Sequence, residues 1–151
     1  MANSTQVLGG DKWKTVLEEL AKEKVGVKVG ILEGATTPDG KPIAPYAAFN
    51  EFGTEHIPSR PFMRQTVAEK TGEWASSTTS LIKGKSTEKG ILKKAVGYMG
   101  RQMEADLVEK IKSNIPPANK AATIKRKGPG KPTLFDSGDM LHAISSEVIS
   151  E

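Results

Sequence analysis

The chain has 151 residues, no cysteine, a formal net charge of +4 and a pI of about 9.2. That length predicts one domain, and the missing cysteines exclude disulfides, thiolate zinc sites and cysteine nucleophiles. No apolar run approaches the roughly 20 residues that span a bilayer, and residues 1–6 lack the basic and apolar regions of a secretory signal, so the expectation is cytoplasmic synthesis and no membrane partner.

In chain order, residues 1–10 are polar, end in Gly9-Gly10 and predict a flexible N-terminal arm. Asp11 is placed to cap a helix over residues 11–23, whose apolar members Trp13, Val16, Leu17, Leu20 and Ala21 fall on one face. Val25, Val27, Val29 and Ile31 alternate with Gly26, Lys28, Gly30 and Leu32, a period of two that predicts a strand over 25–32 with one buried face. Residues 33–45, rich in proline and glycine, predict a loop or hairpin tip with Asp39-Gly40 at its turn. Tyr46 to Phe52 predicts a short helix stopped by Gly53.

Pro61 suits the first turn of a helix running to about Ile82, because its fixed φ is helical and its missing N–H would have no partner there. After Lys83-Gly84-Lys85, Ser86 or Thr87 is placed to cap a helix reaching Asn114. Its stripe of Leu92, Val96, Met99, Met103, Leu107 and Ile111 is the clearest periodicity in the chain. Residues 115–133, rich in proline, glycine and lysine, predict a long basic loop or arm outside the core. Residues 134–142 hold a turn and at most one helical turn, and 143–149 predict a closing strand. Together these elements predict a single α+β domain over 1–151: helices packed on a small antiparallel sheet, with long loops or arms.

Chemistry-bearing motifs are weak. Gly84-Lys85-Ser86 looks like the end of a P-loop, but Thr79 stands where that pattern needs glycine and the residues before it read as helix, not strand. His56 and His142 have no second histidine at metal-ligand spacing. Ser137 and His142 could be imagined as nucleophile and base, but the group that must orient the base is missing, and Asp136-Ser137-Gly138 reads as a turn. No catalytic residue, cofactor or metal is therefore expected.

Two stretches carry more information. Tyr46, Phe49 and Phe52, spaced by three, lie near one helix face and can serve either the core or a neighbouring subunit. Between Glu109 and Lys131 the chain carries Lys110, Lys112, Lys120, Lys125, Arg126, Lys127 and Lys131 against Glu109 alone. Such a run is either a solvated loop or a contact for phosphates or an acidic protein surface. No aromatic interleaves with these cations, which argues against a stacking platform for single strands.

Tyr46-Ala47, Glu51-Phe52-Gly53-Thr54, Ile57-Pro58 and Arg60-Pro61-Phe62 resemble the signature of the neck or tail-completion (head–tail joining) proteins of tailed bacteriophages. This family also includes putative tail components, virion morphogenesis proteins and minor tail proteins of the lambda Z type. Thr123-Ile124, Lys127, Pro132, Leu134, Asp136-Ser137-Gly138 and Leu141 are similar to its C-terminal block, with Ser137 where threonine is common. The resemblance implies a structural virion protein: a homo-oligomeric ring, commonly a hexamer, at the head–tail junction. Such a ring connects the head-completion or connector protein to the tail terminator or tail tube and lets genomic DNA pass. No enzymatic activity is implied.

On that basis Tyr46, Phe49, Phe52, Gly53, Arg60, Pro61, Phe62, Asp136, Gly138 and Leu141 are the expected subunit or layer interface. Lys120, Lys125, Arg126, Lys127 and Lys131 are expected to meet acidic surfaces or phosphates, with any channel lining mixed or acidic so that it does not grip the duplex. The alternative is a small basic DNA-binding protein, separated from the first reading by a steep salt dependence.

Overall fold

The computed structural model describes residues 21–85 and 87–151, together with Lys14 and Glu18. The predicted arm over 1–10, the Asp11 cap, most of the helix predicted over 11–23 and the Ser86 cap lie outside the described residues. Lys14, Glu18, Ala21 and Lys22 are helical.

The fold is α+β. Strand β1 (Val25–Ile31) pairs antiparallel with β2 (Ile144–Ser150), Val25 opposite Ser150 and Ile31 opposite Ile144. Between them run α1 (Ile43–Phe52), α2 (Phe62–Gly84), α3 (Ile91–Lys112), α4 (Ala121–Lys127) and α5 (Asp139–His142). The Asp39-Gly40 turn closes a small tip in which the Gly40 N–H donates to Thr37 O at 2.9 Å and Thr36 bridges Pro42.

A two-stranded ribbon is marginal by itself, so its stability comes from what it packs on. Both strands lie on α3. Gly100 makes the approach possible: a Cβ there would stand 2.8 Å from Val27 Cγ2, closer than carbon atoms sit, and 3.0 Å from Ser146 Oγ. The ribbon therefore rests directly on the helix backbone. Phe62, Leu107, Ile111, Ile115, Leu134 and Ile144 form the centre of the core, with Phe62 and Ile111 fully enclosed. Helices α2 and α3 are also tied by polar contacts. Trp74 Nε1 donates to Asp106 Oδ2 at 2.7 Å, and Lys110 Nζ donates to both Glu69 oxygens at 2.8 Å.

Three expectations need correction. Helix α1 begins at Ile43, before Tyr46, with Pro45 inside its first turn, where a proline's missing N–H has no intrahelical partner to lose. Helix α3 begins at Ile91 and not at residue 86 or 87, because Gly90 takes a left-handed φ of 71° and interrupts the helix there. Residues 115–133 are not a loop outside the core. Ile115 is 2% exposed and belongs to the main apolar cluster, and Ala121–Lys127 is helical, built from alanines and straight-chain lysine and arginine that favour helix. Among the described residues, no helix is long and apolar enough to cross a membrane.

Candidate functional site

The stretch from Tyr46 to Arg64 is a closed joint between α1 and α2. Every helix N-terminus leaves unpaired N–H groups, and Pro61 has no side-chain acceptor to offer them. Glu51, from the end of α1, fills that role. Its Oε2 accepts the Met63 N–H at 2.9 Å, and its Oε1 accepts the Arg64 N–H at 3.1 Å and Arg64 Nε at 2.9 Å. Arg64 Nη2 returns to the Glu51 carbonyl at 2.8 Å. A carboxylate at a helix N-terminus also meets the favourable end of the helix dipole.

Around this capping contact the linker is pinned residue by residue. The Arg60 N–H donates to Asn50 O at 2.7 Å, and Ser59 Oγ donates to Glu51 O at 2.8 Å. Thr54 Oγ1 accepts the Ile57 N–H at 3.0 Å. Gly53 sits at φ 80°, and a Cβ there would lie 2.9 Å from the Ser59 nitrogen, so this position admits only glycine.

With Ala47, Asn50 and Glu51 turned inward, the opposite face of α1 carries the aromatics. Tyr46, Phe49 and Phe52 are 47%, 48% and 68% exposed. The Arg64 guanidinium stands 5.0 Å from the Phe52 ring centre, within cation–π range. Phe62, in contrast, is wholly enclosed by its own chain and offers nothing to a neighbour, and Leu141 packs against the same core. For Phe62 the expected interface role gives way to a core role, whereas Leu141 is half-buried and also lines a surface cleft. Gly138 is buried at φ 91°, where a Cβ would meet the Phe135 ring at 3.3 Å.

The second sequence block folds back onto the first. Arg60 is only 5% exposed, and its Nε donates to Pro117 O at 2.8 Å. Lys127, which its loop-like surroundings predict to be solvated, is 9% exposed, and its Nζ donates to Thr133 O at 2.9 Å and Pro132 O at 3.4 Å. Burial is the largest influence on both cations and lowers both from their ordinary values. At Lys127 the nearby Asp136 opposes that shift, while Arg126, Arg60 and Lys131 add to it.

Arg126 pairs with Asp136 at 2.9 Å, and Lys131 Nζ donates to Asp136 O at 3.1 Å. Lys120 and Lys125 are exposed. Ser137 Oγ donates to Asp139 Oδ2 at 2.6 Å, an arrangement that closes the turn before α5.

Two clefts of about 470 and 560 Å³ flank Tyr46 and Arg126, which line both. The first is walled by the 37–43 tip and by residues 134–141. Four of its charged groups are paired, Lys41 with Asp39 at 3.0 Å and Arg126 with Asp136, while among the described residues the Asp139 carboxylate accepts only from Ser137 Oγ. The second lies between the 54–60 linker and the 117–133 segment. The fold thus brings the two sequence blocks face to face. Sequence reasoning missed Glu51 and Arg64 as partners. Their spacing was the available signal: a carboxylate two residues before a helix-stopping glycine and an arginine just inside the next helix. No family model, no curated protein and no solved structure matches this chain.

Proposed function

We propose that this chain is a structural protein of the head–tail joint of a tailed bacteriophage, a neck or tail-completion component. It assembles as a homo-oligomeric ring, hexameric by the resemblance. The ring bridges the head-completion or connector protein and the tail terminator or tail tube, and genomic DNA passes through its lumen. The reading rests on the two sequence blocks, and the observation that carries it furthest is the aromatic face of α1. Three aromatics stand out on one side of a helix whose other side is tied down by the Asn50 carbonyl, which accepts the Arg60 N–H, and by the Glu51 carboxylate. An exposed apolar patch on so rigid a support suits docking against a second copy.

The DNA-binding alternative has less support. Of the five cations assigned to phosphate or acidic contact, Lys127 is buried, Arg126 is paired with Asp136 and Lys131 is folded onto Asp136 O, which leaves Lys120 and Lys125.

Native mass spectrometry and negative-stain microscopy of the purified protein test the proposal. A ring is the expected species, with Phe49→Ala plus Phe52→Ala shifting it to monomers of unchanged helicity. A wild-type monomer at every concentration, or duplex DNA binding that falls steeply with salt and survives loss of the aromatics, would overturn it.

A further inference from the structure

The 560 Å³ cleft has an unbalanced lining. Arg60, Lys120, Arg126 and Lys127 line it against a single lining carboxylate, Glu55; with Arg126 already paired to Asp136, three cations remain against one anion. Two of these cations, Arg60 and Lys127, are more than nine-tenths buried, and among the described residues neither forms an ion pair. Buried charges are ordinarily paired, and main-chain carbonyls satisfy hydrogen bonds without neutralising charge. Arg60 uses only Nε on protein, toward Pro117 O. Its Nη groups meet no acceptor among the described residues and retain some access to solvent at the cleft. The same chain gives its buried anion, Glu51, a guanidinium partner, so leaving cations unpaired is not a general habit of this fold.

We infer that this cleft is a receptor for a carboxylate-bearing segment of a partner protein, one acidic side chain seated between Arg60 Nη and Lys127 Nζ with Lys120 at the rim. Guanidinium and ammonium donors held in a recessed, low-dielectric site make strong charge-assisted hydrogen bonds to a carboxylate. Tyr46, Ile57 and Pro117 supply apolar walls for the flanking chain. Recess also selects the partner class. An extended peptide can lower a carboxylate into the cleft. A duplex presents its phosphates on a convex rod and meets protruding cations first, and those at the bottom here do not protrude. The site belongs to one copy of the chain and does not depend on ring formation.

Fluorescence anisotropy with labelled hexaglutamate, hexaglutamine and a short DNA duplex tests the inference, at about 50 mM salt so that exposed charges are not fully screened. Hexaglutamate is expected to bind and hexaglutamine not to. Lys120→Gln and Lys127→Met should each weaken hexaglutamate by about tenfold, the range for losing a hydrogen bond to a charged group. Lys120 is exposed, so its variant keeps the fold and carries the test even if Lys127→Met melts early. No hexaglutamate binding up to about 1 mM, a bound too weak for a built site, would overturn the assignment. So would hexaglutamate affinity unchanged in every folded variant. Duplex bound more tightly than hexaglutamate, with loss at the same lysines, would replace the peptide by nucleic acid. Failure of ring assembly alone leaves these arms unaffected, so the two proposals fail separately.

Discussion

Glu51 and Lys127 are both buried charges, and the chain treats them oppositely. Glu51 receives two backbone N–H groups and the Arg64 guanidinium, a set that satisfies its lone pairs and offsets its charge. Lys127 receives two carbonyl oxygens and no carboxylate, with Arg60 beside it in a similar state. Burying an ion costs several kcal/mol unless it is paired. In the α1–α2 joint the charge is spent internally and fixes an angle between helices. In the 117–133 region the charge is left with bonding capacity facing a cleft. Similar burial, then, marks a structural clamp in one place and an open valence in the other.

The largest expected effect tests whether the two regions can be compared as parts of one body. Phe62 opens α2 yet packs in the same cluster as Ile115 and Leu134. Phe62→Ala should cost about 4 kcal/mol in urea unfolding and lower hydrogen-exchange protection in both regions together. Loss confined to the α1–α2 joint would mean the second region folds separately.

Glu51→Ala should come next, at about 3 kcal/mol, because the α2 N-terminus loses its acceptor and Arg64 its partner. Glu51→Gln should lose about half as much, since an amide oxygen still accepts the Met63 N–H. Equal losses for the two variants would show that charge, not hydrogen bonding, sustains the joint.

Gly100→Ala and Gly72→Ala make the same chemical change inside a helix with opposite expected signs. At Gly100 the added methyl collides with Val27 and Ser146, and a thermal melt should show a loss of about 1–2 kcal/mol. Gly72 has nothing within 4 Å of the added carbon, so alanine there should stabilise by up to about 1 kcal/mol through helix propensity.

The smallest effect sharpens the comparison most. Removing an unpaired buried cation leaves no orphaned counter-ion, so Lys127→Met should change stability by less than about 1 kcal/mol, far less than Glu51→Ala. Its pH dependence has a defined sign. Lys127 has a lowered folded value, so in the window between that value and the ordinary lysine range the unfolded chain holds more protons than the folded one. Stability from this group therefore rises with pH through that window and is lowest below it. Lys127→Met should flatten that rise in melts recorded across buffers just below the ordinary lysine range.

Much of this fold was legible because large apolar side chains announce themselves by period. The alternation from Val25 to Ile31 predicted β1, and the stripe through Val96, Leu107 and Ile111 predicted α3, all three of those residues being buried. What stayed hidden has a common cause. Gly100, the seat of the ribbon, has no side chain and carries no hydrophobic signal. Ile115 continues the spacing of four set by Leu107 and Ile111, but the polar residues 112–114 and Pro116-Pro117 around it make it read as the start of a loop. Pro45 reads locally as a breaker although the first helical turn accepts it. The site was legible as two blocks of residues but not as an arrangement. That Arg60 would reach Pro117, or Glu51 the start of α2, depends on chain reversals for which sequence spacing gives no distance.

The register of the ribbon has a mechanical consequence. Val25 faces Ser150, and the Glu151 N–H still reaches Lys24 O at 3.0 Å, so the chain enters β1 and leaves β2 side by side. A pull applied across those two points would load the ladder one rung at a time, like a zipper, instead of sharing the load among all rungs as in shear. Traction at that corner would peel the ribbon from α3 at low force, while the Glu51 joint on the far side of the sequence remained unloaded.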